Sequence, residues 1–209
     1  MGSADATTIL TGDGHRLEAE MVVAEPERCG MVLCHPHPEY GGTMRSLVIS
    51  ALFAALPAVG VTCLRFNFRG VERSEGHHDQ GRAEREDVRA AIRDLGSLLA
   101  PTSPLVVTGW SFGADVALSV VEDRVDAWYA IAPPLRYAAG LDVLADDARP
   151  KLVALAEHDE VRPPAEVEAV AAGWAATEIE VVRGASHFFM GRTDRLVELG
   201  AGLVGRLVD

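Results

Sequence analysis

The amino-acid sequence predicts an α/β fold in which helices cover both faces of a mainly parallel sheet. Short apolar runs typical of strands alternate about five times with longer amphipathic runs typical of helices. The run Met31–Cys34 is apolar throughout, as expected for a strand that is buried on both faces. The turn sequence Gly12–Gly14 separates two N-terminal strand-like runs, which predicts an antiparallel hairpin at one edge of the sheet.

Each element follows from the spacing of its apolar residues and from the residues that end it. Apolar runs predict strands at Thr7–Leu10, Leu17–Ala24, Met31–Cys34, Val61–Phe68, Leu105–Thr108, Trp128–Ala132, Lys151–Ala156 and Glu178–Val182. Helical spacing predicts helices at 47–56, 88–99, 114–121, 167–174 and 196–207. The first helix should end at Pro57, because proline cannot continue a helix. The helix at 114–121 is apolar on nearly all sides and should be the buried one.

Length and composition limit the classes of protein that this chain can be. The 209 residues, 48% hydrophobic and 24% charged, fit a single domain spanning 1–209. A formal net charge of -12 argues against nucleic acid or an anionic membrane as a partner, because both would repel the chain. Residues 1–8 lack the basic start and the apolar run of a signal peptide, so we expect a cytoplasmic protein.

The cysteines are too few for a disulfide framework, since the chain has only three. Cys34 and Cys63 lie in apolar runs, where a free thiol behaves as a small hydrophobic group. Cys29 is expected near a surface turn. We therefore predict that all three thiols are reduced.

The pentapeptide Gly109–Gly113 has the pattern Gly-x-Ser-x-Gly between a predicted strand and a predicted helix. In that setting the serine lies on a sharp turn that exposes its hydroxyl as a nucleophile. Side chains two positions before and after the serine would collide, whereas glycine has none. Ser111 is the predicted nucleophile.

Reactive side chains follow four predicted strands, in the loops 35–42, 109–113, 157–160 and 184–189. In open α/β sheets such loops meet beyond the carboxyl ends of the strands. A serine needs a base to accept its proton, and the base needs a carboxylate to hold its tautomer. Ser111, Asp159 and His187 supply nucleophile, acid and base in the chain order expected for a serine on a strand-to-helix turn. Glu157 and Glu160 stay open as alternative acids.

Five segments together resemble the α/β-hydrolase fold, and within it a small family of lid-less bacterial serine hydrolases similar to dienelactone hydrolases. The segments are Cys34–Met44, Arg65–Gly76, Gly109–Gly113, Asp159–Val161 and Ser186–Phe189. The resemblance covers about residues 30 to 195. It implies the same nucleophile, acid and base, and no cofactor.

The resemblance also implies an oxyanion hole formed by two backbone N–H groups. The first would belong to Phe112, and the second to a residue between positions 35 and 40. His37 is the predicted second donor, with Tyr40 as the alternative, because the prolines at 36 and 38 have no N–H. The family usually has glycine where this chain has Glu72.

The predicted site is open, because only about 18 residues separate the strand ending near Ala132 from the next one, too few for a lid. Side chains expected to line the substrate pocket are His35, Tyr40, Trp110 and Phe188. We predict a carboxylesterase-type serine hydrolase that cleaves small acyl esters or thioesters. Its partner would be the small-molecule acyl substrate, and the open face is the candidate surface for a homo-oligomer.

Two other classes of function are alternatives. His35 and His37 after a strand resemble the His-x-His pair of some metallohydrolases. Further zinc or manganese ligands would come from His78, Asp79, His158 and Asp159. The prolines constrain this loop and a metal site leaves the serine turn unexplained, so we favour the serine hydrolase. The second alternative is a non-catalytic interaction module on the same fold.

Overall fold

The computed structural model describes residues 4–208, which form one eight-stranded sheet with α-helices on both faces. The strands are β1 Asp5–Leu10, β2 Arg16–Val22, β3 Cys29–Cys34, β4 Val61–Phe66, β5 Leu105–Trp110, β6 Ala127–Ile131, β7 Lys151–His158 and β8 Thr177–Ser186. The helices are α1 Leu47–Ala55, α2 Glu84–Leu98, α3 Phe112–Leu118, α4 Leu141–Asp146, α5 Pro164–Ala171 and α6 Thr193–Val208.

The strand order is β1-β2-β4-β3-β5-β6-β7-β8. Strand β2 pairs antiparallel with both β1 and β4, and every pair from β4 to β8 is parallel. This topology confirms the predicted mainly parallel sheet with an antiparallel N-terminal hairpin. It also places the carboxyl ends of β3, β5, β6, β7 and β8 side by side along one edge.

Two apolar layers hold the helices against the sheet. Helices α2 and α3 pack on one face, and α1 and α6 pack on the other. Every residue of α3 is buried, which confirms that the apolar run after the serine turn is the most enclosed helix. Burial of apolar side chains in both layers is the main stabilising contribution in a sheet of this kind.

Several element boundaries differ from the predictions. Strands β7 and β8 are longer than their apolar runs, because backbone pairing continues to the pair His158 and Ser186. Helix α3 ends at Leu118, earlier than predicted. The expectation for Cys29 is wrong, since it is the first residue of β3 and is fully buried. Pairing with a neighbouring strand decides where a strand begins and ends, and the apolar pattern of the sequence does not report that pairing.

The segment between β6 and β7 contains one short helix, α4, and no lid. The carboxyl edge of the sheet beside it is therefore open to solvent, as predicted. None of the helices within residues 4–208 combines the length and the apolar character that crossing a membrane requires.

Candidate active site

Ser111 lies on the sharp turn between β5 and α3, with φ 55° and ψ −120°. This positive φ is strained for a residue with a Cβ atom. A Cβ on Gly113 would overlap the carbonyl oxygen of Cys34, and a Cβ on Gly109 would overlap the backbone of Gly113. Both glycines are therefore required by close backbone approach, as the sequence pattern predicts.

Three side chains from separate loops meet beyond the carboxyl ends of β5, β7 and β8. The Nε2 atom of His187 is 2.9 Å from the Oγ atom of Ser111. The Nδ1 atom of the same ring is 2.8 Å from Oδ2 of Asp159. All three residues are buried: Ser111 is 9% exposed, His187 is 5% exposed and Asp159 is 9% exposed. These distances allow a proton to pass from the hydroxyl to the imidazole.

Asp159 is the carboxylate that contacts the His187 ring, whereas the neighbouring acids bind backbone. Oδ1 of Asp159 accepts hydrogen bonds from the N–H groups of Val161 (2.8 Å) and Arg162 (3.0 Å). An Oε2 atom of Glu157 accepts from a glycine N–H in β8, and one of Glu160 accepts from the backbone N–H of His187. Backbone donors thus hold the carboxylate in place beside the imidazole.

Trp110 and Phe188 border the His187 ring. The indole N–H of Trp110 donates to the backbone carbonyl of His187 at 3.1 Å. The Phe188 ring lies edge-on to both, with centroids 5.8 Å from His187 and 6.4 Å from Trp110. Trp110 therefore packs against the loop that carries His187 and also borders the open site.

The backbone N–H groups of the two predicted oxyanion donors, Phe112 and His37, have no acceptor among residues 4–208. Phe112 is the first residue of α3, where helix geometry offers its N–H no acceptor. Within residues 4–208, neither the Phe112 N–H nor the His37 N–H donates a hydrogen bond. Tyr40 is excluded as a donor, because its N–H already donates to the His37 carbonyl at 3.1 Å.

His35 does not line the pocket, which corrects the prediction made for it. Its ring is fully buried, and its Nε2 atom accepts a hydrogen bond from the Phe68 N–H at 3.0 Å. The proton is therefore on Nδ1, which donates to the Pro36 carbonyl at 2.6 Å. Burial lowers the pKa of His35 to about 4, so the ring stays neutral.

The hydrogen bond from His35 also orients the peptide between Pro36 and His37. This peptide is trans, so its carbonyl and its N–H point in opposite directions. Because the buried ring holds the Pro36 carbonyl, the His37 N–H faces away from the core. Gly42 packs so closely on the same carbonyl that any Cβ there would overlap it.

A cavity of about 470 Å³ opens beside Ser111 and His187. Its wall includes Tyr40, Trp110 and Phe188, the other side chains that the sequence predicts there. It also includes residues that sequence reasoning missed: Pro36, Gly41, Gly42, Ser46, Leu47, Pro134, Arg136, Tyr137 and Val161. Three of these follow β6, so their place after a strand on this edge was the available signal.

A model of the alpha/beta hydrolase domain matches residues 29–198. This chain belongs to the α/β hydrolase family. An alpha-beta serine hydrolase homologue from Coxiella burnetii is 34% identical with a TM-score of 0.85, over 99% of this chain and 98% of the other. A lid-less a/b serine hydrolase from Xanthomonas campestris is 28% identical with a TM-score of 0.84, over 99% and 95%.

A third relative, an uncharacterized protein of Rickettsia prowazekii, is 29% identical over 196 residues, covering 88% of this chain and 82% of the relative. The narrower likeness to dienelactone hydrolases stays a prediction. Glu72, where the resemblance to lid-less serine hydrolases predicts glycine, has a positive φ of 49°. The Glu72 carboxylate accepts hydrogen bonds from Asn67 (2.7 Å) and Arg45 (3.1 Å), which offset the backbone strain.

The metal-binding alternative does not assemble in this α/β hydrolase. Both ring nitrogens of His35 are engaged by backbone groups, and the ring of His158 is exposed beside Glu157. Among residues 4–208, the side chains whose ligand atoms come close together are His37, Glu39 and His78. This group shares His37 and His78 with the predicted set, adds Glu39, and contains neither His35, Asp79, His158 nor Asp159. The Nδ1 atom of His37 already accepts from the Glu39 N–H at 3.2 Å.

Proposed function

We propose that this α/β hydrolase is a serine carboxylesterase that cleaves small acyl esters or thioesters through an acyl-enzyme at Ser111. The observation that carries the proposal is the continuous chain of contacts from Ser111 Oγ through His187 to Asp159, at 2.9 Å and 2.8 Å. It lies at the wall of a cavity large enough for a small acyl substrate. The serine hydrolase relatives support the same reaction class.

The first step is attack of Ser111 on the substrate carbonyl. Asp159 accepts a hydrogen bond from the Nδ1–H of His187, which leaves Nε2 unprotonated and facing the hydroxyl. Nε2 takes the hydroxyl proton as Oγ bonds to the carbonyl carbon. The carbonyl π electrons move to oxygen, and the N–H groups of Phe112 and His37 bind the resulting oxyanion.

The second half of the reaction returns the enzyme to its starting state. The oxyanion collapses, the bond to the leaving group breaks, and His187 gives its proton to the departing alcohol or thiol. A water molecule then attacks the acyl-enzyme while Nε2 accepts one of its protons. Collapse of the second intermediate breaks the bond to Oγ and releases the acid, and Ser111 regains its proton.

The shape of the site supports small, accessible acyl groups as substrates. No element within residues 4–208 forms a lid over the cavity, and Tyr40 at its rim is 85% exposed. We also propose that the chain is one cytoplasmic domain. The continuous sheet supports a single domain, and three free, buried cysteines agree with a reducing compartment.

A fluorophosphonate probe tests the nucleophile, because it forms a stable bond with an activated serine. We expect one label, located on the peptide that contains Ser111, and hydrolysis of p-nitrophenyl butanoate. Ser111→Ala should prevent labelling and lower kcat by about 10⁴-fold or more, because the triad acts as a unit. The matched control is Ser97→Ala, since Ser97 lies on the exposed face of α2.

Circular dichroism is the control that tests whether both variants are folded. A folded wild-type protein that takes no label and hydrolyses no ester would favour the non-catalytic module. Near-normal turnover by Ser111→Ala would contradict the assigned nucleophile. Loss of activity after EDTA treatment that zinc restores would favour the metal-dependent alternative.

A further inference from the structure

Arg136 is the one formally charged side chain in the wall of the active-site cavity, within the described part of the chain. The wall contains no carboxylate, although the protein has 31 acidic residues and a net charge of -12. The Arg136 side chain is exposed and makes no hydrogen bond or ion pair with residues 4–208. A guanidinium that lines an open cavity without a counter-ion is available to an anionic ligand.

The loop that carries Arg136 is held in place by a buried carboxylate. Asp115 in α3 is fully buried and accepts hydrogen bonds from three successive N–H groups. These belong to Leu135 (2.8 Å), Arg136 (2.9 Å) and Tyr137 (2.9 Å). Helix α3 begins directly after Ser111, so the same helix supports the nucleophile and the arginine loop. The backbone under the guanidinium is therefore fixed before substrate binds.

The loop that carries Arg136 also contacts the two predicted oxyanion donors, through the ring of Tyr137. The Tyr137 ring lies 5.1 Å from the His37 ring and 5.2 Å from the Phe112 ring, between centroids. These rings belong to the two residues whose N–H groups are free. Burial is the main cause that lowers the pKa of His37, and the positive charge of Arg136 contributes to it. The charge of Arg136 therefore acts on the His37 ring, and both side chains line the same cavity.

We propose that Arg136 is an anion-binding subsite, and that the natural substrate carries a carboxylate in addition to its scissile ester or thioester. This inference rests on the proposed esterase function. A guanidinium binds a carboxylate through two parallel hydrogen bonds, which gives orientation as well as affinity. The rest of the cavity wall is largely apolar and aromatic, so the charge on Arg136 selects among substrates of similar size.

Two pairs of esters test the subsite, each pair differing only by a carboxylate or a carboxamide. For charge on the acyl side, the pair is p-nitrophenyl hemiadipate and p-nitrophenyl 6-amino-6-oxohexanoate. For charge on the leaving group, the pair is 3-carboxyphenyl butanoate and 3-carbamoylphenyl butanoate. The kcat/KM of each ester is measured for the wild type, Arg136→Gln, Arg136→Lys and the control Arg73→Gln, which removes an exposed arginine outside the cavity.

In one of the two pairs, Arg136→Gln should lower kcat/KM for the carboxylate ester about tenfold and change the carboxamide ester less than about twofold. Arg136→Lys should keep most of the preference, because it keeps the charge. Arg73→Gln should behave as the wild type. Added salt should weaken the wild-type preference, since this ion pair is open to solvent.

The inference is overturned if Arg136→Gln changes the carboxylate and carboxamide members of both pairs equally, or changes neither. Loss of the preference in Arg73→Gln as well would also overturn it, because overall charge would then explain the effect. The esterase proposal fails separately, if the wild type hydrolyses none of the four esters or Ser111→Ala still hydrolyses them. Turnover of the carboxamide esters through Ser111 with no effect of Arg136 would remove the subsite alone.

Discussion

The floor and the rim of the active-site cavity are built differently. The floor is formed by Ser111 and His187, with Asp159 behind the His187 ring; all three are at most 9% exposed and are connected by hydrogen bonds. On the rim, Tyr40 is 85% exposed and Phe188 is 52% exposed. The floor is thus held by buried backbone and side-chain contacts, whereas the rim side chains are largely exposed to solvent. We infer that the floor determines the rate of the chemical step and the rim determines which substrate is accepted.

The difference has a physical basis in how each group does its work. A group that stabilises developing charge contributes most when it is already oriented before the reaction, away from water. A group that selects a substrate needs only a complementary surface and tolerates adjustment. Substitutions on the floor should therefore have much larger effects than substitutions on the rim.

The largest of the remaining effects is expected for Asp159→Asn. The asparagine carbonyl can still accept from the Val161 and Arg162 N–H groups, which turns its NH₂ group toward His187. The imidazole must then accept at Nδ1 and carry its proton on Nε2, where it can no longer receive the proton of Ser111. We expect kcat for p-nitrophenyl butanoate to fall by about 10³- to 10⁴-fold.

The matched controls are Glu157→Gln and Glu160→Gln, the two acids that sequence reasoning left open. Both side chains bind backbone N–H groups, so both variants should stay within about threefold of the wild-type kcat. A larger loss in either control than in Asp159→Asn would assign the acid to that residue instead.

An effect of intermediate size is expected on stability, through the fully buried ring of His35. Acid should lower the free energy of unfolding through this residue. Its pKa is about 4 in the folded chain and about 6.5 when unfolded. Between these values the unfolded chain binds a proton and the folded chain does not. The free energy of unfolding should therefore fall as the pH drops from about 6.5 to about 4, by about 3 kcal/mol in total from this group.

His35→Asn is the variant that isolates this contribution, because it removes the titrating ring. Urea unfolding of both proteins at pH 7, 5.5 and 4.5 gives the two stability profiles. Burial raises the pKa of Asp87 and of Asp115 to about 6, which acts in the opposite direction but equally in both proteins. Parallel profiles for the wild type and the variant would show that His35 does not titrate as expected.

The smallest effect is expected on the rim, for Phe188→Ala. The exposed ring lines the cavity beside Trp110, so its loss removes apolar contact with the substrate and leaves the triad in place. We expect kcat/KM for p-nitrophenyl acetate to change by less than about twofold and that for the butanoate to fall about three- to fivefold.

Leu98→Ala is a suitable control, because Leu98 is also a large exposed apolar residue but lies at the end of α2. It should leave both esters unaffected. If Phe188→Ala lowered the rate for acetate as strongly as that for butanoate, the rim would take part in the chemical step and the distinction drawn above would fail.

The sequence alone determined the features that depend on local pattern. Apolar spacing predicted the strands and helices that build the sheet, because burial of one face or of both leaves a regular signal. The glycines on either side of Ser111 predicted the strained turn, because only glycine tolerates that close approach. The loops holding Asp159 and His187 were found because each follows a predicted strand on the reacting edge.

Only the tertiary structure decided which way individual side chains point. His35 and His37 are two residues apart, yet one ring is buried against the Phe68 N–H and the other borders the cavity. Asp159, and neither Glu157 nor Glu160, contacts the imidazole, because the backbone N–H groups that follow Asp159 orient its carboxylate. Arg136 reaches the cavity because Asp115, distant in sequence, holds its loop. Such orientations depend on partners from other elements, which a local pattern does not contain.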